Sequence, residues 1–155
     1  MAAKKVLYVD DEEMNLELFK MSFLADFEIV TTQFPEKASQ IMRDQDIEIL
    51  ITDYKMPKMN GMDLIKEIKG CNPRCKCMIL SGYLENDLLL DKSIIYKYIL
   101  KPYDRNEVRK HVESAMVELG IWGLPNGEFD REGGSYPNRG LYVYVSPVLL
   151  DYAMN

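Results

Sequence analysis

The sequence has one histidine, three cysteines, no run of lysine or arginine and no long apolar stretch. Each shortage removes a class of function. No window approaches the ~18 apolar residues that a membrane span requires. The N-terminal apolar run Val6-Leu7-Tyr8-Val9 stops at Asp10-Asp11, too soon for the core of a signal peptide. A cytoplasmic protein without membrane attachment is expected. A formal charge of −6 with no basic cluster offers no electrostatic footprint for a phosphate backbone, so direct nucleic-acid binding is not expected. Cys71, Cys75 and Cys77 are odd in number and share one short stretch, which argues against a disulfide framework and for reduced thiols. Their spacing supplies three thiolates, and the sole histidine is His111, so a four-ligand zinc site is not expected. Cys77 reads as a small hydrophobe in a strand, and Cys71 and Cys75 as residues of the loop before it. The sequence shows no internal repeat or low-complexity tract.

What is present is the composition of a folded chain: 47% hydrophobic and 28% charged residues over 155 positions, enough for one domain plus an appendage. Five short apolar runs alternate with longer amphipathic stretches, the pattern of βα units feeding a parallel sheet. They are Val6–Val9, Phe27–Val30, Ile47–Thr52, Cys77–Leu80 and Tyr96–Leu100. The first, third and fourth lack polar alternation, as central strands covered on both faces do. The second and fifth are more mixed and suit the edges.

Helices are punctuated between them. Pro35 opens one that reaches about Arg43, its missing N–H harmless in the first turn. Gly61 precedes a helix over Met62–Lys69 that Gly70 and Asn72-Pro73 end. Asp104, with Glu107 three residues on, starts the best-defined helix, which runs to about Leu119 before Gly120. Val108, Val112, Ala115, Met116 and Leu119 make its apolar stripe. His111 lies off that stripe and reads as an exposed surface residue, not as a phosphorylated histidine.

Chemistry gathers at the strand ends. Asp10 and Asp11 follow the first run, Asp53 the third, Ser81 the fourth and Lys101 the fifth. In an open parallel α/β sheet, ligands bind beyond the carboxyl ends of the strands, so these residues converge if the runs share one sheet. Three close carboxylates repel one another unless a cation lies among them. Mg²⁺ suits an all-oxygen set and leaves positions for water and a phosphate oxygen. One carboxylate can then act as nucleophile toward a phosphoryl group, with Lys101 and the Ser81 hydroxyl on the phosphoryl oxygens. Singly, each residue has an ordinary explanation: Asp10 and Asp11 as helix caps, Asp53 and Ser81 in turns, Tyr98 in the core. The combination favours a site.

Four motifs carry a family resemblance: Val6-Leu7-Tyr8-Val9-Asp10-Asp11-Glu12, Ile51-Thr52-Asp53-Tyr54-Lys55-Met56-Pro57-Lys58-Met59-Asn60-Gly61, Leu80-Ser81-Gly82-Tyr83 and Tyr98-Ile99-Leu100-Lys101-Pro102. Together, over about Lys4 to Leu119, they resemble the receiver domains of two-component response regulators. The resemblance implies an α/β, doubly wound five-stranded parallel sheet of order 2-1-3-4-5 flanked by helices. It places a receiver domain at 1–119 and a C-terminal extension at 120–155. It implies Asp53 as phosphoacceptor, Asp11 and Asp53 as direct Mg²⁺ ligands, Asp10 acting mainly through water, and the Lys55 backbone carbonyl as a further ligand. Ser81 and Tyr98 match the family's switch pair, Lys55 and Tyr83 its rate-tuning positions, and the Lys101–Pro102 bond is expected to be cis. The implied partners are a histidine kinase or histidine phosphotransfer protein and a downstream protein target. The implied chemistry is the chain's own phosphorylation and dephosphorylation, not enzymatic turnover of a substrate.

The segment between Tyr83 and Tyr96 is shorter than the family's usual one, so a helix over about Asn86 to Lys92 is expected to be two turns long or irregular. Beyond Gly120 the composition turns to Gly, Pro, Asn and aromatics, with a candidate strand at Leu141–Val145 and a short apolar end over Val148–Met154. This extension carries no motif of an output domain. Its aromatic content suits packing on its own domain or on a second copy, so a homodimer through the last helix, the last strand or the extension is one expectation. Two other functions compete. A Mg²⁺-dependent phosphatase with an aspartyl nucleophile carries D-x-D after its first strand, which Asp10-Asp11-Glu12 does not match. A non-phosphorylated scaffold would not need the whole Asp/Asp/Asp/Ser/Lys set.

Overall fold

The computed structural model describes residues 4–121. Strand β1 (Lys5–Val9) leads to helix α1 (Glu13–Phe23) and strand β2 (Glu28–Thr32). A 3-10 turn at Pro35–Lys37 and helix α2 (Ala38–Asp44) precede β3 (Ile49–Asp53). Helix α3 (Gly61–Cys71), β4 (Lys76–Ser81), a second 3-10 turn at Glu85–Asp87, β5 (Lys97–Leu100) and α4 (Arg105–Glu118) complete the order. The strands form one parallel sheet in the order β2-β1-β3-β4-β5, as the resemblance implied. The two mixed runs stand at its edges.

Strand side chains alternate between faces, and each face is apolar. On one, Val6, Tyr8, Ile49, Ile51, Met78, Leu80 and Ile99 meet Leu16, Phe19 and Phe23 of α1 and Val108, Val112, Ala115 and Met116 of α4. On the other, Leu7, Val9, Leu50, Cys77 and Ile79 meet Ala38 and Met42 of α2 and Met62, Leu64, Ile65 and Ile68 of α3. Burial on both faces is why β1, β3 and β4 carry no polar alternation. Each Leu, Ile or Phe buried this way stabilises the fold by about 1.5–3 kcal/mol.

Several boundaries differ from the sequence expectation, each for a local reason. Phe27 and Ile47 are buried, yet their amides bond back to Phe23 and Met42, so both close helical turns and the strands begin later. Pro35 opens a 3-10 turn, and the α-helix starts only at Ala38. Gly61 lies inside α3, whose N-cap Asn60 accepts from the Asp63 amide at 2.8 Å. Gly70 also lies within that helix, so Cys71 ends α3 and is not a loop residue. Cys75 and Cys77 are buried, which pushes their thiols up to about 11 and about 12. Asp104 caps α4 through the amides of Asn106 at 2.7 Å and Glu107 at 3.2 Å. Gly120 beyond it takes a left-handed φ of 72°, where an L side chain is strained.

Two further expectations resolve in this region. Among the described residues, only turns and the Glu85–Asp87 3-10 segment connect β4 to β5, so the irregular form is the one adopted. His111 is half-buried rather than exposed, because α4 lies close enough to the sheet to cover the flank of its stripe. Burial and the nearby Lys97 charge lower its pKa below the ordinary 6.5, against the pull of Glu107. The candidate strand at 141–145 and the whole extension from 122 onward lie outside the described residues.

Candidate functional site

The carboxyl ends of β1, β3, β4 and β5 deliver Asp10, Asp53, Ser81 and Lys101 to one edge of the sheet. Parallel pairing fixes their relative height: Val9 is in register with Thr52, Asp53 with Leu80, and Ser81 with Leu100. The Lys101 amide continues this ladder by donating to the Ser81 carbonyl at 2.7 Å. The Lys101–Pro102 peptide is cis.

Asp10, Asp11 and Asp53 each offer a carboxylate oxygen to a cluster whose members lie within 4.8 Å of one another. Asp10 is fully buried and well held. Its Oδ2 accepts from the Tyr8 hydroxyl at 2.8 Å and from Asn15 Nδ2 at 3.1 Å, and its Oδ1 accepts from the Glu12 amide at 2.9 Å. The Tyr8 phenol is pushed far up by burial and by the Asp10 charge, so it remains a donor to that carboxylate. Asp53 Oδ1 accepts from its neighbour's amide, Tyr54, at 3.0 Å and from Lys101 Nζ at 3.4 Å. Lys101 Nζ also lies 3.8 Å from Asp10 Oδ2.

Burial lifts the Asp53 carboxyl above its ordinary pKa, with Lys101 opposing the rise and Asp10 adding to it. One ammonium thus faces three carboxylates, which leaves negative charge uncompensated among hard oxygen donors. A divalent cation such as Mg²⁺ fits that donor set on charge and on ligand chemistry.

A second group of side chains gathers around Tyr83. Its amide donates to Ser81 Oγ at 3.1 Å, and its carbonyl accepts from the Tyr98 hydroxyl. Its own hydroxyl accepts from Lys55 Nζ at 3.1 Å, and that ammonium lies 5.6 Å from the centre of the ring. Lys55 and Tyr83, the rate-tuning positions that the resemblance implies, are therefore joined to each other. Tyr98 is half-buried against the α2/α3 side of the sheet, and burial raises its phenol against a hydrogen bond with Ser81.

Three positioning residues were not singled out from the sequence. Tyr8 lies two residues before Asp10, and the period-two alternation of a strand sets both on one face, a signal that was available. Asn15 falls in the first turn of α1 and swings back to Asp10, which no spacing rule marks. Gly61 permits close approach: a Cβ there would lie 2.5 Å from the Asp53 carbonyl oxygen, while its amide donates to the Tyr54 carbonyl at 2.7 Å. Only glycine lets α3 begin this near to the end of β3.

The comparisons with known proteins agree with this geometry. The family model described as the response regulator receiver domain matches residues 6–113. The chain is 30% identical over 120 residues to an uncharacterized response regulatory protein of Staphylococcus epidermidis, covering 74% of this chain and 47% of that protein. It is 26% identical over 121 residues to the hydrogenase transcriptional regulatory protein HoxA of Cupriavidus necator, covering 76% of this chain and 25% of HoxA. The chain thus spans less than half the length of these relatives. Among solved structures, a receiver domain protein of Clostridium thermocellum superposes with a TM-score of 0.68 at 29% identity, covering 74% of this chain and 94% of that one. The response regulator TrrA of Thermotoga maritima, in complex with Mg²⁺ and BeF, gives 0.66 at 26% identity, covering 72% and 98%. By sheet order, by the carboxylates at its strand ends and by this match over most of its length, the chain belongs to the response regulator receiver family.

Proposed function

We propose that this chain is a phosphorylation-controlled signalling module whose phosphoacceptor is Asp53. The observation that supports it most is the three-carboxylate cluster with Lys101 reaching two of its members. In this reading a phosphohistidine on a kinase or phosphotransfer partner is the donor. An Asp53 oxygen forms the new bond to phosphorus as the phosphorus–nitrogen bond breaks, and the imidazole departs with that electron pair. Asp10, Asp11, Asp53 and the Lys55 backbone carbonyl would hold Mg²⁺, which supplies charge neutralisation for the transferring group.

The chain's own residues do the rest. Lys101 holds a fixed positive charge beside the acceptor oxygen, and Tyr8, Asn15 and the Glu12 amide fix Asp10 so that it does not swing. The Ser81 hydroxyl, which accepts from the Tyr83 amide, is the group that would turn to donate to a phosphoryl oxygen. Tyr98 would follow it through their shared contact with Tyr83, biasing two pre-existing states of the surface around β5. That surface would engage a downstream protein. Residues 1–119 form the receiver unit in this reading and 120–155 an extension of separate role.

Beryllofluoride with Mg²⁺ mimics an aspartyl phosphate and tests the reading. Amide chemical shifts at Ser81, Tyr83 and Tyr98 are expected to move together in the wild type and to stay fixed in Asp53→Ala. No movement in the wild type points to a scaffold, and multiple turnover of phosphate esters points to a phosphatase; either result overturns the proposal.

A further inference from the structure

Helix α4 leaves too little of its surface in water. At about 100° per residue, Lys110, Ser114 and Val117 stand opposite the stripe of Val108, Val112, Ala115, Met116 and Leu119 that packs on the sheet. Positions opposite a core stripe are ordinarily exposed, and α3 follows this: its outward Asp63, Lys66 and Glu67 are all exposed. In α4 the three outward residues are half-buried, and Glu113 beside them is only 7% exposed. Arg109, one turn earlier on the flank of Glu113, has a buried Nε without a hydrogen-bond partner among the described residues. A buried donor left in that state is costly, so it calls for an acceptor.

The described elements engage the two flanks of α4. On one, Arg105 donates to the Ser22 carbonyl at 2.6 Å; on the other, Glu118 pairs with Lys76 at 2.9 Å. The outward face needs another cover, and the chain itself supplies one. Helix α4 ends in a Schellman turn: the Ile121 amide donates to the Met116 carbonyl at 2.8 Å, and the amide of Gly120, at φ 72°, donates to the Val117 carbonyl at 3.1 Å. Ile121 is buried in the same core as Met116, so the chain leaves the helix turned onto the domain. Residues 122–155 follow. From Leu119 back to Arg109 is about 15 Å along the helix, which about five extended residues span. The order of residues is complementary as well. Trp122 and Leu124 come first in the extension, as Val117 does on the way back along α4, and the acidic Glu128, Asp130 and Glu132 come next, as the basic Lys110 and Arg109 do.

We propose that the outward face of α4 is a docking site for the chain's own C-terminal extension, with Trp122 and Leu124 on Val117 and the acidic residues of 128–132 on Arg109 and Lys110. Docked there, the extension withdraws this face from any partner or second copy, and the contact requires no phosphoryl group. Two chemical probes on the full chain test it. A zero-length carbodiimide is expected to join the Lys110 amine to Glu128, Asp130 or Glu132 as an amide within one chain. Acetylation of Lys110 by an activated acetate ester is expected to run several-fold slower than that of the exposed Lys66. In Val117→Asp the Lys110 rate is expected to rise to that of Lys66, with unchanged circular dichroism verifying that the variant folds. A wild-type Lys110 acetylated as fast as Lys66 overturns the proposal. So does a Lys110 cross-link found only between two chains, which would make a second copy the occupant, and so does a Lys110 rate that stays low in folded Val117→Asp.

Discussion

Tyr83 joins three residues around the acidic cluster. Its amide, carbonyl and hydroxyl engage Ser81, Tyr98 and Lys55 in turn. The bridge from Lys55 ties the segment after β3 to the segment after β4, and these segments border Asp53 on two sides. The rate-tuning role that the family resemblance implies for Lys55 and Tyr83 would be to shield an aspartyl phosphate from water. Tyr83→Ala is therefore expected to speed dephosphorylation several-fold, and Lys55→Ala to do so to a smaller extent, because the ring then loses only its tether. Stopped-flow or acid-quench decay of the phosphorylated protein measures both, and an unchanged rate in Tyr83→Ala would remove the shielding role. Hydrolysis faster in Lys55→Ala than in Tyr83→Ala would assign the protection to the ammonium.

At the scale of elements, the site depends on how closely α3 approaches β3. Gly61→Ala would drive a methyl group into the Asp53 carbonyl, so backbone must move. A loss of about 1–3 kcal/mol in denaturant unfolding is expected from such overpacking, together with weaker Mg²⁺ binding as Asp53 is displaced. Gly70→Ala has open space at its Cβ and serves as the control. Helix α4 contributes a pH dependence. The His111 pKa is lowered in the folded state by burial and by Lys97, so the unfolded chain binds more protons below its ordinary 6.5. Its contribution to stability is full above that pH and is lost as pH falls through the folded value. Unfolding midpoints are expected to drop on acidification below 6.5, and His111→Gln is expected to flatten that part of the profile. These helices also show where sequence reading stops. Asp104 and the α4 stripe were legible because capping and periodicity are local signals, whereas His111 became half-buried through tertiary packing that its own neighbours in sequence do not encode.

For the whole molecule, the division into central and edge strands and the gathering of residues at strand ends follow from a pattern the sequence displays openly, while the sheet order was implied by the family resemblance. Central strands buried on two faces have no polar alternation, and polar residues immediately after them can only lie at the sheet's edge. What sequence reading placed wrongly were the ends of elements. Phe27 and Ile47 are as apolar as the strands they precede, and only their backbone bonds to Phe23 and Met42 assign them to turns. Tyr8 was read as strand core, yet its hydroxyl completes the Asp10 environment; an amphipathic side chain can serve both. Asn15 and Gly61 were illegible as site residues because one acts through a side chain returning from the next element and the other through the absence of one. The central claim remains that Asp53 is the phosphoacceptor of this assembled edge. Intact-mass spectrometry after incubation with a small acyl phosphate and Mg²⁺ tests it most directly. One phosphoryl group per wild-type chain, none in Asp53→Asn and none when the metal is chelated is the predicted result; a wild type that stays unmodified, or an Asp53→Asn chain that is modified to the same extent, would contradict it.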